Sequence, residues 1–377
     1  MADVDRILIV GGGIAGLSLA IALHRQGYSP EIVERSRAWS AVGAGIITPA
    51  NGVRVLQTLG VGKAIDQTAA VIRRNGFFDQ HGELLCETDL EDLWRGVGPT
   101  LGISRVKLQE ALVKGASGVP IRLGVSLVTL TQDDDLVQVA LSDGTSGDYD
   151  LVVGADGIHS TVRKTVMKSS PSPSYAGSIS RRSIVDARLP GVVDNIMVVM
   201  GEGCLFGVAP MGDGYTYGFG VVGEERSDDP PTGRLERLRR RFVGFGGPIP
   251  EYLAALQSDE QIHVGPIEWV DLDKWYLGRV VLIGDAAHAG PPALTEGGCM
   301  AMEDGLVLAD VLRTEDSVKS ALEAYVRRRR PRADWVQEQS RDQIDALLAP
   351  SDVRNAALRE RGDQMYRDRY GPLIPAP

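Results

Sequence analysis

The chain has 377 residues, of which 43% are hydrophobic and 24% are charged, and its formal net charge at pH 7 is −10. This length exceeds what one hydrophobic core usually covers, so we expect two domains. The negative charge argues against a nucleic-acid partner, because binding to phosphates requires a basic face. The one basic run, at residues 327–332, is short, and we interpret it as a solvated or ion-paired helix end.

Neither a membrane protein nor a disulfide-rich secreted protein is indicated. No apolar stretch approaches the roughly 20 residues of a membrane span, and no signal-peptide pattern precedes the first apolar run. The three cysteines, Cys86, Cys204 and Cys299, lie far apart and have no metal-ligand spacing. We therefore expect no metal site and a cytoplasmic location.

In chain order, the predicted elements begin with a β-α-β unit. Residues 6–10 form an apolar run of strand length, residues 17–23 have helical spacing, and residues 31–33 begin a second strand. A right-handed crossover would make these two strands parallel. A helix is then predicted over residues 104–114, followed by a meander of short strands over 121–149 and a buried strand over 151–153.

The next part is predicted to be an antiparallel sheet. A serine- and proline-rich connection at residues 169–174 is followed by runs of β-forming residues at 183–185, 196–200, 205–209 and 215–222. Tyr215, Tyr217 and Phe219 share one face of the last run, because side chains alternate along a strand. They form either core packing or a pocket wall. A helix at 234–242, a strand at 280–283 and helices at 300–312 and 318–346 complete the pattern.

A glycine-rich turn joins the first strand to the first helix. Residues 11–16 read Gly-Gly-Gly-Ile-Ala-Gly and fit the pattern G-x-G-x-x-G. Gly11 permits the tight turn, Gly13 lets the backbone approach a pyrophosphate, and Gly16 lets helix and strand pack closely. The helix N-terminus attracts the anion, and Glu34 at the end of the second strand can accept hydrogen bonds from ribose hydroxyls. This pattern predicts a dinucleotide but does not distinguish FAD from NAD(P).

Three later segments resemble a known family. Residues 155–163 read ADGIHSTVR and resemble the DG motif of FAD-dependent aromatic hydroxylases. Residues 284–288 read GDAAH and resemble their GD motif, and residues 291–304, with Pro-Pro, Gly-Gly-Cys and Met-Glu-Asp, resemble the loop and helix that follow it. Order and spacing match from residue 6 to residue 312. The chain thus resembles the single-component (group A) flavoprotein monooxygenases, relatives of para-hydroxybenzoate and salicylate hydroxylases.

The resemblance implies an α/β fold, in which a Rossmann-type FAD-binding domain is interleaved with an antiparallel β-sheet substrate domain and followed by C-terminal helices. The FAD-binding domain would comprise residues 1–70, 97–170 and 275–345. The substrate domain would comprise residues 71–96 and 171–274. Residues 346–377 would form a C-terminal helical tail.

The resemblance also implies non-covalent FAD. Asp285 would bind the ribityl chain, and the helix after Gly297 and Gly298 would direct its free N–H groups at the flavin edge. Residues 43–47 and 51–52 would lie under the flavin. Asp156 would either contact the cofactor or cap a turn, and Arg163 would contact a ligand or form a structural ion pair. The predicted cofactor-binding residues are Gly11, Gly13, Ala15, Gly16, Glu34, Arg35, Ile47, Arg105, Leu127, Asp156, Asp285, Pro292, Thr295, Gly297, Gly298 and Cys299.

The implied reaction is the insertion of one oxygen atom. NAD(P)H reduces FAD, oxygen adds to give a flavin C4a-hydroperoxide, and the distal oxygen passes to the substrate by hydroxylation or epoxidation. No second dinucleotide motif lies downstream, so NAD(P)H would be a transient co-substrate without a Rossmann site of its own. A flavoprotein oxidase or reductase that inserts no oxygen, and a non-catalytic flavin-binding relative, are the alternatives. The enzyme would be a monomer or a homodimer.

The substrate site is predicted where the two domains meet. Hydroxylases of aromatic acids usually place a cation on the sheet, but residues 203–223 contain no Arg or Lys, and Leu205 and Phe206 lie where a cation would be convenient. This favours a neutral, rather apolar molecule such as a phenol, a heteroaromatic ring or a natural-product intermediate. Arg181 and Arg182 on the preceding strand could still serve. The candidate substrate contacts are Phe206, Val208, Tyr217, Phe219, Pro292 and Glu296.

Glu296, directly before Gly297, is the one catalytic candidate. It is either a helix-end residue that points to solvent and gains a little from the helix dipole, or a group that accepts a proton or hydrogen bond from the substrate. His288 and His159 belong to the GD and DG motifs, where turn packing and backbone geometry are expected to matter more than imidazole chemistry.

Overall fold

The computed structural model describes residues 4–39, 44–167 and 171–377. Gly43, and Ser169 and Ser170 of the predicted connection, lie outside these ranges. The strands are, in chain order, β1 (Ile7–Val10), β2 (Pro30–Glu34), β3 (Gly45–Thr48), β4 (Ala70–Ile72), β5 (Arg74–Asp79), β6 (Leu84–Asp89), β7 (Thr100–Ser104), β8 (Ile121–Leu123), β9 (Leu127–Gln132), β10 (Val137–Leu141), β11 (Ser146–Tyr149), β12 (Leu151–Gly154), β13 (Ser174–Val185), β14 (Asn195–Gly201), β15 (Cys204–Pro210), β16 (Thr216–Gly223), β17 (His263–Trp269), β18 (Tyr276–Leu277) and β19 (Val280–Leu282).

The α-helices of the described ranges include the five that the sequence predicts individually, each within three residues of its predicted bounds, and one in the predicted helical tail; the other six were not predicted. They are α1 (Ile14–Arg25), α2 (Ala50–Thr58), α3 (Gly62–Asp66), α4 (Leu90–Leu93), α5 (Arg105–Gly115), α6 (Thr161–Val166), α7 (Arg234–Arg241), α8 (Ile249–Ala255), α9 (Asp285–His288), α10 (Gly297–Thr314), α11 (Val318–Leu348) and α12 (Ser351–Tyr370). No helix within the described ranges combines the length and apolarity needed to cross a bilayer.

A largely parallel sheet carries the glycine-rich turn. Its order is β18-β19-β12-β1-β2-β8, and β1 pairs in parallel with both β2 and β12. Strands β1, β12 and β19 are buried along their whole length, as expected of a sheet covered by helices on both faces. On one of these faces α1 packs against α10 and α5. The predicted α/β fold with its Rossmann-type sheet is confirmed.

A second, seven-stranded sheet has the order β17-β13-β16-β15-β14-β5-β6 and is antiparallel except between β14 and β5. One face contributes to the core that it shares with the parallel sheet, and the other packs on α7 and α8. Gly218 and Gly220 make the second contact possible. A Cβ on Gly218 would lie 2.3 Å from the Tyr252 ring, and one on Gly220 would lie 2.9 Å from Phe242.

The last helix, α12, lies against strand β6 of this sheet. A Cβ on Gly362 would lie 2.3 Å from Cys86 Sγ, so the helix backbone approaches the strand closely. The rings of Trp94 and Tyr370 meet edge to face at 5.9 Å. Residues 346–377 are thus largely helical and packed onto the sheet.

Candidate cofactor and substrate site

The glycine-rich turn has the geometry of a phosphate-binding loop. Gly11 has a φ of +114°, and a Cβ there would lie 2.3 Å from the carbonyl oxygen of Ala155. A Cβ on Gly16 would lie 2.0 Å from the carbonyl oxygen of Gly11. At Gly13, by contrast, a Cβ would meet no atom within 4 Å. Helix α1, with Ala15 in its first turn, therefore directs unpaired N–H groups into open space, as an anion requires.

Glu34 stands at the end of β2 beside this loop. Its carboxylate accepts hydrogen bonds from the backbone N–H of Gly12 at 2.7 Å and of Ser36 at 2.8 Å. Arg35, the next residue, is exposed. Gln109, which the sequence analysis missed, donates to the carbonyl oxygen of Gly12 at 2.9 Å from helix α5.

The GD motif adjoins the start of α1. Gly284 has a φ of +58°, and a Cβ there would lie 2.9 Å from Cβ of Ala15. Asp285 is exposed although the three residues after it are buried, and it accepts no hydrogen bond from any described residue. Its carboxylate is thus placed beside the phosphate loop with its acceptors free. This placement fits the predicted contact with a ribityl chain.

The DG motif is joined to the GD motif by a buried arginine. Arg163 donates to the carbonyl oxygens of Ala286 at 2.9 Å and Ile158 at 2.5 Å, and it pairs with no acid in the described ranges. The predicted structural ion pair of Arg163 is thus absent from the described residues, and its contact with a ligand stays a prediction. Asp156 caps α6, accepting from the Ser160 hydroxyl and from the backbone N–H of Thr161 at 2.6 Å. This is the turn-capping alternative, and a cofactor contact of Asp156 stays a prediction.

The segment before helix α10 lies close to strand β3 and the start of α1, and we call the region bordered by this segment, β3 and the phosphate loop the groove. Pro292 and Gly297 are exposed, and Thr295 adopts a left-handed φ of +58° that is uncommon for a residue with a side chain. A Cβ on Gly298 would lie 3.1 Å from Ile46 and 3.7 Å from Ile14, so the two glycine loops and strand β3 approach one another.

The remaining predicted contacts lie around this groove or in the core beneath it. Arg105 is exposed at the start of α5, and its N–H donates to the carbonyl oxygen of Ala44. Ile47 in β3 and Leu127 in β9 are buried, and Cys299 Sγ would lie 2.4 Å from a Cβ on Gly52 of α2.

Behind the groove lies a buried ionic network that the sequence did not predict. Arg329 is fully buried and donates to Asp304 at 2.8 Å and Glu303 at 2.7 Å, and Arg332 also donates to Glu303. Burial opposes ionisation of Asp304, but the charges of His288 and Arg329 outweigh it and lower the pKa of Asp304. The prediction of a solvated or ion-paired helix end is therefore wrong in part, because Arg329 is ion-paired in the middle of α11. The i, i+3 spacing of residues 329 and 332, which places both on one face of a helix, is the sequence feature that could have predicted this network.

His288 takes part in the same network. Its Nε2 lies 2.6 Å from Asp304 Oδ2, and its ring packs 5.0 Å from that of Trp275. The side chain is 4% exposed, so it joins the GD turn to α10 instead of facing the groove.

Glu296 is buried, contrary to the interpretation in which it points to solvent. Its Oε2 accepts from Asn51 Nδ2 at 2.9 Å, and the same amide donates to Glu303 at 3.2 Å. Its Oε1 is buried and has no hydrogen-bond partner in the described part of the chain. Burial raises the pKa of Glu296 to about 8, with Glu303 adding to the rise and Asn51 opposing it.

The faces of the second sheet separate the predicted substrate residues into two groups. Tyr217 and Phe219 belong to the face shared with the parallel sheet, and their ring centroids are 5.4 Å apart. A Cβ on Gly45 would lie 2.6 Å from Tyr217 Cγ, so this face abuts β3 and the groove. Phe206 and Val208 instead lie in the second core, where Phe206 packs 4.8 Å from Phe242. The sheet itself separates them from the groove, which corrects their assignment as substrate contacts.

Tyr215 precedes β16 and is exposed, so the predicted aromatic face is reduced to two rings.

Comparisons with known proteins agree with this arrangement over the whole chain. A family model described as FAD binding domain matches residues 4–340. The chain is 36% identical over 321 residues to the aurachin C monooxygenase/isomerase of Stigmatella aurantiaca, covering 85% of this chain and 83% of that protein. It is 31% identical to the FAD-dependent urate hydroxylase of Klebsiella pneumoniae, covering 98% and 96%. It is 33% identical to the 3-amino-4-hydroxybenzoate 2-monooxygenase of Streptomyces cremeus, covering 93% and 90%.

Among solved structures, the chain is similar to Klebsiella pneumoniae HpxO complexed with FAD and uric acid. The TM-score is 0.91 at 27% identity, and the match covers 99% of this chain and 97% of the other.

Proposed function

Since this chain belongs to the FAD-binding domain family and is an FAD-dependent monooxygenase, we propose that it hydroxylates a small aromatic or heteroaromatic compound with NAD(P)H and O2. The observation that carries the proposal is the close approach of Tyr217, which is paired with the Phe219 ring, to Gly45 of strand β3, a strand that also approaches Gly298 through Ile46. An aromatic wall therefore faces the place where the flavin ring is expected. The substrates in the names of two relatives, urate and 3-amino-4-hydroxybenzoate, are ring compounds of suitable size.

FAD supplies the redox and oxygen-activating chemistry when it is bound, and the protein supplies position and electrostatics. The N-terminus of α1 would hold the pyrophosphate, and Asp285 would accept hydrogen bonds from the ribityl hydroxyls. The N-terminus of α10 carries partial positive charge and would favour an anionic flavin edge near Gly297. The buried face around Tyr217 would exclude water from the substrate.

A proton-accepting role for Glu296 belongs to this proposal. Its Oε1 has no partner among the described residues and, because the pKa of Glu296 is about 8, this carboxyl can accept a proton only once it has ionised, toward the upper end of the pH range. If Glu296 acts on the substrate, Glu296→Gln should lower the fraction of NAD(P)H oxidation that yields product and raise peroxide, with little change in FAD affinity. Unaltered coupling between pH 6 and 9 would leave Glu296 without this role.

The proposed function is tested by product analysis with labelled oxygen. FAD-loaded enzyme is incubated with NADH or NADPH, ¹⁸O₂ and a pool of phenols, hydroxybenzoates and heteroaromatic rings, and the products are analysed by mass spectrometry. We expect one ¹⁸O atom in a hydroxylated product. NAD(P)H oxidation that yields only peroxide with every ring, or a dehydrogenated product without label, would favour an oxidase or reductase instead.

A further inference from the structure

Arg182 is a cation on the substrate-facing side of the second sheet, and no acid in the described ranges pairs with it. It lies on β13, directly opposite Phe219 on β16, while Ile184 lies opposite Tyr217. Residues opposite each other in an antiparallel pair project from the same face. Arg182 therefore shares the face of Tyr217 and Phe219, and its charge acts on the Tyr217 hydroxyl.

The surroundings of Arg182 do not compensate its charge. The side chain is half-buried, and its Nε atom is buried without a hydrogen-bond partner in the described ranges. Its neighbour on the other side is His263 of β17. An imidazole is neutral or cationic and so supplies no negative charge to Arg182; burial, and then the charges of Arg182 and Arg234, lower the pKa of His263 and favour its neutral form. The residues outside the described ranges include a single acid, Asp3.

Arg181, the preceding residue, has an acidic partner, although its Nη1 atom is also buried without a hydrogen bond among the described residues. It projects from the opposite face, where it donates to Glu224 at 2.6 Å. A guanidinium that is partly removed from water without an acidic partner has a desolvation cost that an anionic ligand would offset. The two adjacent arginines thus differ in that Arg181 has an acidic partner and Arg182 has none in the described ranges.

We propose that Arg182 binds an anionic oxygen group, such as a carboxylate, on the ring compound that the site hydroxylates. The planar guanidinium matches a carboxylate in a two-point contact, and the aromatic pair beside it would hold the ring. This inference rests on the proposed function and names its substrate class. It also revises the expectation of a neutral substrate, which followed from the lack of Arg and Lys on β15 and β16 alone.

Binding to the oxidised, FAD-loaded enzyme tests the proposal without turnover. The probes are benzoate, 4-hydroxybenzoate and 3-amino-4-hydroxybenzoate, each with its primary amide, and the readout is the change in flavin absorbance on titration. We expect at least one acid to bind about tenfold or more tighter than its amide, the range that a charge-assisted hydrogen bond contributes. Arg182→Gln should abolish this preference and leave amide binding unchanged, and Arg182→Lys should restore part of it.

Arg181→Gln is the matched control, because it changes an arginine of the same strand on the other face, and it should keep the preference for acids. Thermal melts establish that each variant is folded. If no acid outcompetes its amide, or if Arg182→Gln keeps the preference, the proposal is overturned. A raised KM for NADPH or NADH with unchanged discrimination between acids and amides would also overturn it, and would assign Arg182 to the nucleotide phosphates. Labelled product formed from neutral rings alone would leave the proposed function intact while excluding this subsite.

Discussion

Asp285 is exposed at the end of a buried strand and follows a glycine in the left-handed region. Its carboxylate is free because no described residue donates to it. We expect Asp285→Ala to weaken FAD binding by roughly 1–3 kcal/mol, about 5- to 150-fold in Kd, since the ribityl hydroxyls would lose an acceptor. Flavin fluorescence titration of apoprotein measures this. Asp271→Ala, which changes an exposed aspartate elsewhere, should leave the Kd unaltered.

Glu296 makes the stability of the protein depend on pH. An unfolded chain ionises this carboxyl near its ordinary pKa of 4.5, whereas burial keeps it protonated in the folded chain up to about pH 8. The folded state therefore binds more protons in this window, and stability falls as pH rises from 4.5 to 8. Glu296→Gln cannot ionise, so we expect its stability relative to wild type to rise across the window by at most about 1.4 kcal/mol per pH unit.

Urea unfolding of the apoprotein between pH 5 and 9 measures this change for Glu296→Gln. Glu338→Gln, at an exposed position of α11, is the control and should follow wild type at every pH. A difference between Glu296→Gln and wild type that does not vary with pH would contradict the burial of an ionisable Glu296.

At the scale of elements, we expect substitutions of two glycines in the phosphate loop to have different effects on protein stability and on FAD binding. Gly11→Ala would strain a left-handed backbone and collide with Ala155, so we expect the apoprotein to lose at least about 1–3 kcal/mol of stability. Gly13 has an ordinary φ of −79° and open space before it. Gly13→Ala should keep apoprotein stability within about 0.5 kcal/mol but weaken FAD, because the methyl group occupies the approach of the pyrophosphate. Equal effects of both variants on apoprotein stability would contradict this geometry.

Helices α10 and α11 are joined by the ion pairs of Arg329. Removing this side chain would leave Glu303 and Asp304 as buried, partly unpaired acids. We expect Arg329→Gln to lower the free energy of unfolding by about 3–5 kcal/mol. Its neighbour Arg328 pairs with Asp310 at the surface, and Arg328→Gln should cost less than about 1 kcal/mol. Chemical denaturation of both variants compares them directly, and similar losses would argue against the buried network.

Local patterns predicted the elements and motifs well, because strand, glycine turn and helix are adjacent in the sequence. They did not predict the burial of Arg329, since its acidic partners lie 25 and 26 residues away and meet it only through the packing of α10 on α11. Nor did they predict which side of β15 faces the groove. Because side chains alternate along a strand, Leu205 and Phe206 project from opposite faces of β15. The pairing of Ala209 with Tyr217 is needed to show that Leu205 is the one on the face of Tyr217.

At the scale of the whole molecule, one continuous core includes residues of both large sheets, among them Leu8 and Val152 of the parallel sheet and Val198 of the second. We therefore expect a single unfolding transition in calorimetry. FAD at about 100 times its Kd should stabilise the whole molecule by about 2.7 kcal/mol. Two separate transitions, of which FAD shifts only one, would show that the sheets unfold independently.

The position of β19 in the parallel sheet has a consequence for biosynthesis. This strand pairs with β12 beside β1, yet about 270 residues of chain separate β1 from β19. While the ribosome is still translating that interval, β12 has an unpaired edge and α1 lacks the cover of α10. The nascent N-terminal half thus exposes a sheet edge and an apolar helix face, the features that chaperones bind and that drive aggregation. We therefore expect capture of FAD to be a late event, because Asp285, the predicted ribityl contact, emerges from the ribosome long after the phosphate loop.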